Sequence, residues 1–283
     1  MQGIEKCFLQ HTTQPSNLII TLIFHLNKRC NLIKGNWDMT SFIKCLAAVF
    51  ASTLITTSAH AVEVSTGIDI NSSYSYHGIT YNDGAVIQPW LDVSKNGFGV
   101  NVWGNFDLDD YGGSLEKNEF SEVDLSVYYC SSMAEFDWCV TYAEYLYPHV
   151  ANAEGDGALR GDREVVFSLD RDLFAGFRIQ TKFHYNVDEI NDLYARLLLT
   201  YDHKINKVLN ATVSASGAYA GDDMTLTGEG GLHDYDISFS MTWAFRENMS
   251  IGANIHSIGS LDEDVLPDQD IDFYGGLSFT ASL

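Results

Sequence analysis

Apolar and polar side chains alternate with a period of two in about twelve segments across residues 62–283. Only an extended strand sends successive side chains to opposite faces, so the pattern predicts an all-β chain. In the first segment Val64, Ile68, Ile70, Tyr74 and Tyr76 share one face, while Glu63, Asp69, Asn71, Ser73, Ser75 and His77 share the other. Alternation and turn residues together predict strands over 63–77, 85–94, 98–108, 121–133, 136–147, 163–170, 174–187, 192–202, 207–220, 232–245, 249–258 and 271–283.

The connections alternate in length. Short ones hold Lys95-Asn96-Gly97, Ala134-Glu135, Arg171-Asp172, 203–206 and 246–248, and Asn-Gly is the strongest hairpin signal among them. The intervening ones, 77–84, 109–120, 148–162, 221–231 and 259–270, are longer and polar, with only 188–191 short. Short turns on one rim and long loops on the other predict an antiparallel up-and-down transmembrane β-barrel of about twelve strands, with both termini on the short-turn rim.

The apolar face repeats from strand to strand: Phe98, Val100, Val102, Phe106 and Leu108; Val123, Leu125, Val127 and Tyr129; Phe177, Ile179, Phe183 and Tyr185; Tyr235, Ile237, Phe239, Met241, Trp243 and Phe245. Aromatics gather toward the strand ends, where interfacial girdles sit. The last segment places Ile271, Phe273, Leu277, Phe279 and Leu283 on that face, a C-terminal pattern resembling that of outer-membrane proteins. A soluble β-sandwich also alternates. Against it stand segments of 10 to 14 residues, where strands usually run about 5–6, and the alternation of turn lengths.

The first 61 residues read differently. Residues 39–61 have the layout of a signal peptide: Lys44, an apolar core over 45–55, and Ala59-His60-Ala61 as a small-x-small cleavage site. The expected mature chain begins at Val62, exported through the periplasm to a bacterial outer membrane. Lys34-Gly35 requires a purine-rich codon pair shortly before Met39, the layout of a ribosome-binding site, so translation is expected to start at Met39 and residues 1–38 to be an upstream extension. Cys45 follows Phe42-Ile43-Lys44, which is no lipobox. No stretch beyond Ala61 approaches the ~20 apolar residues of a membrane-spanning helix.

Charge narrows the partners. The whole chain carries −22, and residues 62–283 hold 11 Lys plus Arg against 36 Asp plus Glu, a net −25. That balance argues against nucleic-acid or anionic-lipid binding and makes cations the natural counter-species. The expected surroundings are outer-membrane lipid and lipopolysaccharide, and the expected partners small solutes or ions.

The segment 73–80, Ser-Tyr-Ser-Tyr-His-Gly-Ile-Thr, with Asp83-Gly84 and Gln88-Pro89-Trp90-Leu91-Asp92 after it, resembles the opening of the TorF-type putative porins. That family shows a Tyr-x-x-Arg-Gly-Ile-Ser-like hairpin with a downstream Gln and Asp; here His77 stands where Arg is usual and Thr80 where Ser is. The resemblance is clearest over 64–108. It implies an outer-membrane channel-like barrel and brings no catalytic residues.

The polar face would line the lumen. Its acidic members are Asp69, Asp92, Asp107, Glu122, Asp124, Asp137, Glu164, Asp234, Asp236 and Asp272; its basic members Arg178, Lys182 and Arg196 fall on two neighbouring strands. Such walls would favour cations and leave a local basic strip. A lumen closed by ion pairs among these groups is the alternative, because twelve strands fall between side-chain-filled and open barrels.

Cys130 and Cys139 flank the Ala134-Glu135 turn. A two-residue turn places them directly opposite on the lumenal face, in a non-hydrogen-bonded pair with Cα atoms about 4.5 Å apart, and predicts a disulfide. The acidic segment 262–272 invites a calcium reading but lacks the EF-hand Gly and terminal Glu, so no metal or cofactor is expected. His233-Asp234-Tyr235-Asp236 and Glu144 lie near the long-loop rim, and His77, His184 and His256 have lumen parity, without a nucleophile motif or zinc spacing. The expected function is passive diffusion of small cationic or neutral solutes. A structural or adhesion barrel with an occluded lumen, and less so a barrel hydrolase, are the alternatives.

Overall fold

The computed structural model describes residues 62–112, 115–151, 159–188 and 190–283. The signal-peptide and upstream-start expectations lie outside the described residues. Twelve strands close into one antiparallel barrel: β1 (Glu63–Asn71), β4 (Val86–Lys95), β5 (Phe98–Asp107), β6 (Phe120–Met133), β7 (Phe136–Ala151), β8 (Leu159–Asp172), β9 (Phe177–Asn186), β10 (Leu193–Lys204), β11 (Leu209–Ala220), β12 (Gly231–Arg246), β13 (Met249–Ser260) and β14 (Phe273–Ser282). Each strand pairs with its neighbour in sequence, and β1 pairs with β14 to leave no edge. Two further strands, β2 (Tyr74–Tyr76) and β3 (Ile79–Asn82), form a separate hairpin.

The outward parity is apolar and uncovered. Ile68, Ile70, Val127, Leu197, Leu199, Val213, Ile237, Ile251, Ile255 and Leu277 are all exposed on it. Isolated exposed apolar groups are ordinary, but a continuous belt is the mark of a surface meant for an apolar medium. Aromatic contacts track the short-turn rim: Phe98 to Tyr129 at 4.5 Å, Tyr129 to Trp138 at 5.7 Å, Phe177 to Tyr201 at 4.7 Å and Trp243 to Phe245 at 5.8 Å between ring centroids.

Toward the same rim, aromatic rings on the inner wall cover glycines. A Cβ at Gly99 would lie 2.1 Å from the Tyr128 ring, and one at Gly67 2.6 Å from the Trp90 indole. Both rings lie flat where only a bare backbone leaves room. The short turns follow their sequence signals: Asn96 and Gly97 take φ of 53° and 84°, and Ala134 takes 56°, the left-handed geometry that matches strand twist in a tight hairpin.

Two expectations are corrected. The predicted strand 63–77 is interrupted: β1 ends at Asn71, and Tyr74 and Tyr76 belong to the inserted hairpin, not to the outward apolar face. Tyr74 is buried because its hydroxyl finds a carboxylate inside the barrel mouth. Ile271 likewise precedes β14 and is buried in the loop packing, so the outward pattern of the last strand begins at Phe273.

Candidate functional site

The hairpin β2–β3 crosses the mouth on the long-loop rim. His77 and Gly78, with φ of 50° and 74°, form its two-residue turn, the same device as Asn-Gly. Its anchors come from around the barrel. The Tyr74 hydroxyl donates to Glu122 on β6 (2.8 Å). Tyr76 meets the Tyr145 hydroxyl on β7 (3.2 Å). The Thr80 amide donates to Gln269 (3.0 Å), and Asn82 donates to Asp107 at the end of β5 (2.7 Å).

The His77 imidazole stacks on Tyr194 of β10, with ring centroids 3.6 Å apart, and on Tyr76 at 3.9 Å, and meets the edge of His184 at 4.8 Å. Burial, foremost, holds its pKa well below the ordinary imidazole value, and the nearby His184, Arg196, His233 and Lys182 act in the same direction. A neutral ring can stack there; an imidazolium would be desolvated among cations.

Three polar networks support these contacts. On β1, β4 and β5, Asn71 donates to Gln88 (2.8 Å), Gln88 to Asn105 (2.9 Å), and Asn105 to Asp107 (3.0 Å) and Ser121 (2.9 Å). Farther round, Asp234 accepts from Tyr194 (2.7 Å) and Arg196 (2.5 Å), and lies 3.0 Å from His233 Nδ1. Arg196 also donates to the Tyr194 oxygen. A bulge opposite Gly217 and Tyr219 lets consecutive residues His233 and Asp234 both turn inward. Glu164 accepts from Tyr145 (2.9 Å) and lies 3.0 Å from His184 Nδ1.

Beneath the hairpin tip is a cavity of about 360 Å³, lined among others by His77, Lys182, Arg196, Asp234, Asp236 and His256. A second, of about 410 Å³, shares Ser238, His256 and Tyr274 with it and reaches Asp69 and Asn254.

The predicted wall residues divide accordingly. Asp107, Glu122, Lys182, Arg196, Asp234 and Asp236 gather at the mouth or its cavity, and Asp69 faces the second cavity. Asp124 lies across β6–β7 from Tyr145. Asp92 accepts from Tyr128 (2.8 Å) toward the short-turn end, and Arg178 pairs with Asp202 (3.3 Å), so the basic strip splits. Asp272 precedes β14, and its carbonyl accepts from Ile258 (2.9 Å).

Cys130 and Cys139 face each other and are disulfide-bonded, with Cα atoms 4.1 Å apart. The Cys130 amide donates to Gly97 on the other side, as a non-hydrogen-bonded pair requires. Outward-facing Glu144 lies 3.8 Å from Arg163. In the acidic segment Asp270 accepts from Tyr111 (2.6 Å), and among the described residues no three His, Cys, Asp or Glu converge to hold a metal.

The alternation alone missed the hairpin, which only the family resemblance implied, and neither gave its His77–Tyr194 stack. The signal was present: His77-Gly78 is an X-Gly turn flanked by alternating residues on both sides.

No protein-family model and no curated protein matches the chain. Solved structures do. An outer-membrane channel of Pseudomonas putida F1 is 8% identical with a TM-score of 0.49, over 80% of this chain and 97% of that one. The KdgM porin in complex with disordered oligogalacturonate is 6% identical with a TM-score of 0.48, over 78% and 99%. Outer membrane phospholipase A from Escherichia coli is 12% identical with a TM-score of 0.42, over 81% and 96%.

Proposed function

We propose that the chain is a porin-like channel of a bacterial outer membrane, in which small solutes diffuse passively and cations are preferred. The observation that carries this reading is the contrast between the faces of one closed barrel. The outer face is a bare apolar belt with aromatics at a rim, and the inner face bears carboxylates beside two cavities that share residues along the lumen. An apolar belt belongs in lipid, and lipopolysaccharide would surround the long-loop rim. Wall carboxylates raise the local cation concentration, and lumen width selects by size. The TorF-type resemblance supports the same reading, since the residues that bear it form the hairpin and β4. No turnover is involved.

The test is single-channel conductance of the full chain, purified from membranes, in a planar bilayer under a salt gradient. Discrete steps with a cation-selective reversal potential are expected. The hairpin across the mouth favours a second reading, a structural barrel with an occluded lumen. A folded, heat-modifiable protein without conductance steps would select that reading and overturn the channel.

A further inference from the structure

Four formally charged groups line the cavity under the hairpin tip: Lys182, Arg196, Asp234 and Asp236. Two of them are already spent on each other. Arg196 and Asp234 are joined at 2.5 Å, and Asp234 is further saturated by Tyr194 and His233. What remains is one cation and one anion on separate walls.

Lys182 sits directly across the strand pair from Arg196, a like-charge juxtaposition that costs stability. Among the described residues no hydrogen bond or ion pair within 4.0 Å satisfies its ammonium; Asp170, an acidic group on neighbouring β8 whose charge acts on the ammonium from farther off, takes the Gln180 amide (2.5 Å). Among the described residues the hydrogen-bond partner of the Asp236 side chain is the His256 imidazole, 3.0 Å and 3.1 Å from its two oxygens, and the Arg196 charge acts on it from farther off. The register runs Gln180, Leu198, Ser216, Asp236 across four strands, with Lys182 one pleat nearer the mouth. The two groups are therefore three strand spacings apart, about 14 Å along the wall. Barrel curvature and the Lys stem shorten that gap. Ser214, Ser216 and Ser238 supply hydroxyls between them.

We propose that this cavity binds small zwitterions, with the solute carboxylate on Lys182 and its ammonium on Asp236. The inference rests on the reading of a solute-conducting lumen and names the solute class. A lone anion would meet Lys182 but also the surrounding carboxylates, and a lone cation would meet Asp236 but also Lys182. A molecule bearing both charges satisfies both walls, and two linked weak contacts act as one stronger one.

The test is equilibrium binding to the detergent-solubilised full chain, read by saturation-transfer NMR with glycine, acetate and methylammonium as probes. Glycine is expected to bind about tenfold more tightly than either single-charge probe. Lys182→Gln should abolish acetate binding and spare methylammonium, Asp236→Asn the reverse, and each should weaken glycine about tenfold. Lys182→Arg and Asp236→Glu, which keep the charges, should retain glycine binding and guard against misfolded variants. Glycine binding no tighter than acetate, or unchanged in both neutralised variants, overturns the site. Because this readout needs no current, a barrel that binds glycine but shows no conductance steps would keep the site and refute the channel; conduction without glycine binding would do the opposite.

Discussion

The two ends of the barrel are held by interactions of opposite range. At the short-turn end side-chain partners lie within one hairpin or on the next: Cys130 and Cys139 are nine residues apart, Ser132 donates to Asp137 five residues on, and the longer reaches, Tyr128 to Asp92 and Arg171 to Glu135, span 36. At the mouth Tyr74 reaches Glu122, Tyr76 reaches Tyr145, and Thr80 reaches Gln269, 189 residues away. The short-turn end can form hairpin by hairpin. The mouth exists only once the barrel has closed, and its anchors are buried polar groups whose worth depends on every partner being present. The difference teaches where stability is local and where it is collective, and the two can be broken separately.

The largest effect is expected at the mouth. Asp234→Ala leaves the Arg196 guanidinium beside Tyr194 without its counter-charge, and strands His233 and the Tyr194 hydroxyl. Removing one partner of a buried pair costs about 3–5 kcal/mol. Urea unfolding of the full chain in phospholipid vesicles should show that loss, with the hairpin 72–85 becoming sensitive to added protease. A loss below about 1 kcal/mol would mean that the mouth does not act as one network.

A smaller effect is expected at the other end. Replacing Cys130 and Cys139 together by Ser opens a short loop, for which the chain-entropy account gives less than about 3 kcal/mol. The expected signature is a lower urea midpoint with hydrogen exchange in the hairpin unchanged. A faster-exchanging hairpin in this variant would mean that the two ends are coupled through the strands, and the contrast between them would fail.

The same contrast explains what could be read from the sequence. Alternation located all twelve barrel strands, and Asn96-Gly97 and Ala134-Glu135 fixed turns whose registers followed by counting, which is why the disulfide was legible. Period-two reasoning failed at Tyr74 and Tyr76, because a strand that leaves the barrel keeps its alternation while changing its surroundings. Nothing local marks the break at Ser72 and Ser73. The partition of the basic residues was also invisible: Arg178 and Lys182 share a strand face, but one finds Asp202 and the other faces the cavity, and only the pairing across strands decides which. His233 and Asp234 sharing the interior depends on a bulge that alternation cannot represent.

The smallest effect isolates the hairpin itself. His77 lies outside the barrel strands, at the turn, facing Tyr76 on its own hairpin, His184 and Lys182 on β9, Tyr194 and Arg196 on β10, and His233 and Asp234 on β12. Burial first, then its basic neighbours, lower its pKa in the closed state, so the closed hairpin binds fewer protons than the open or unfolded one. Stability of closure is therefore fully present above about pH 6.5 and declines as pH falls below it, by at most about 1.4 kcal/mol per unit until the depressed value is reached. Amide exchange across 74–82 should accelerate between pH 7 and pH 5.5 after correction for intrinsic rates. His77→Asn tolerates the left-handed turn and removes the titrating ring, so its hairpin should be looser at both pH values yet respond less to acid. An equal response in both proteins would take the acid sensitivity away from His77 and leave its stack with a packing role only.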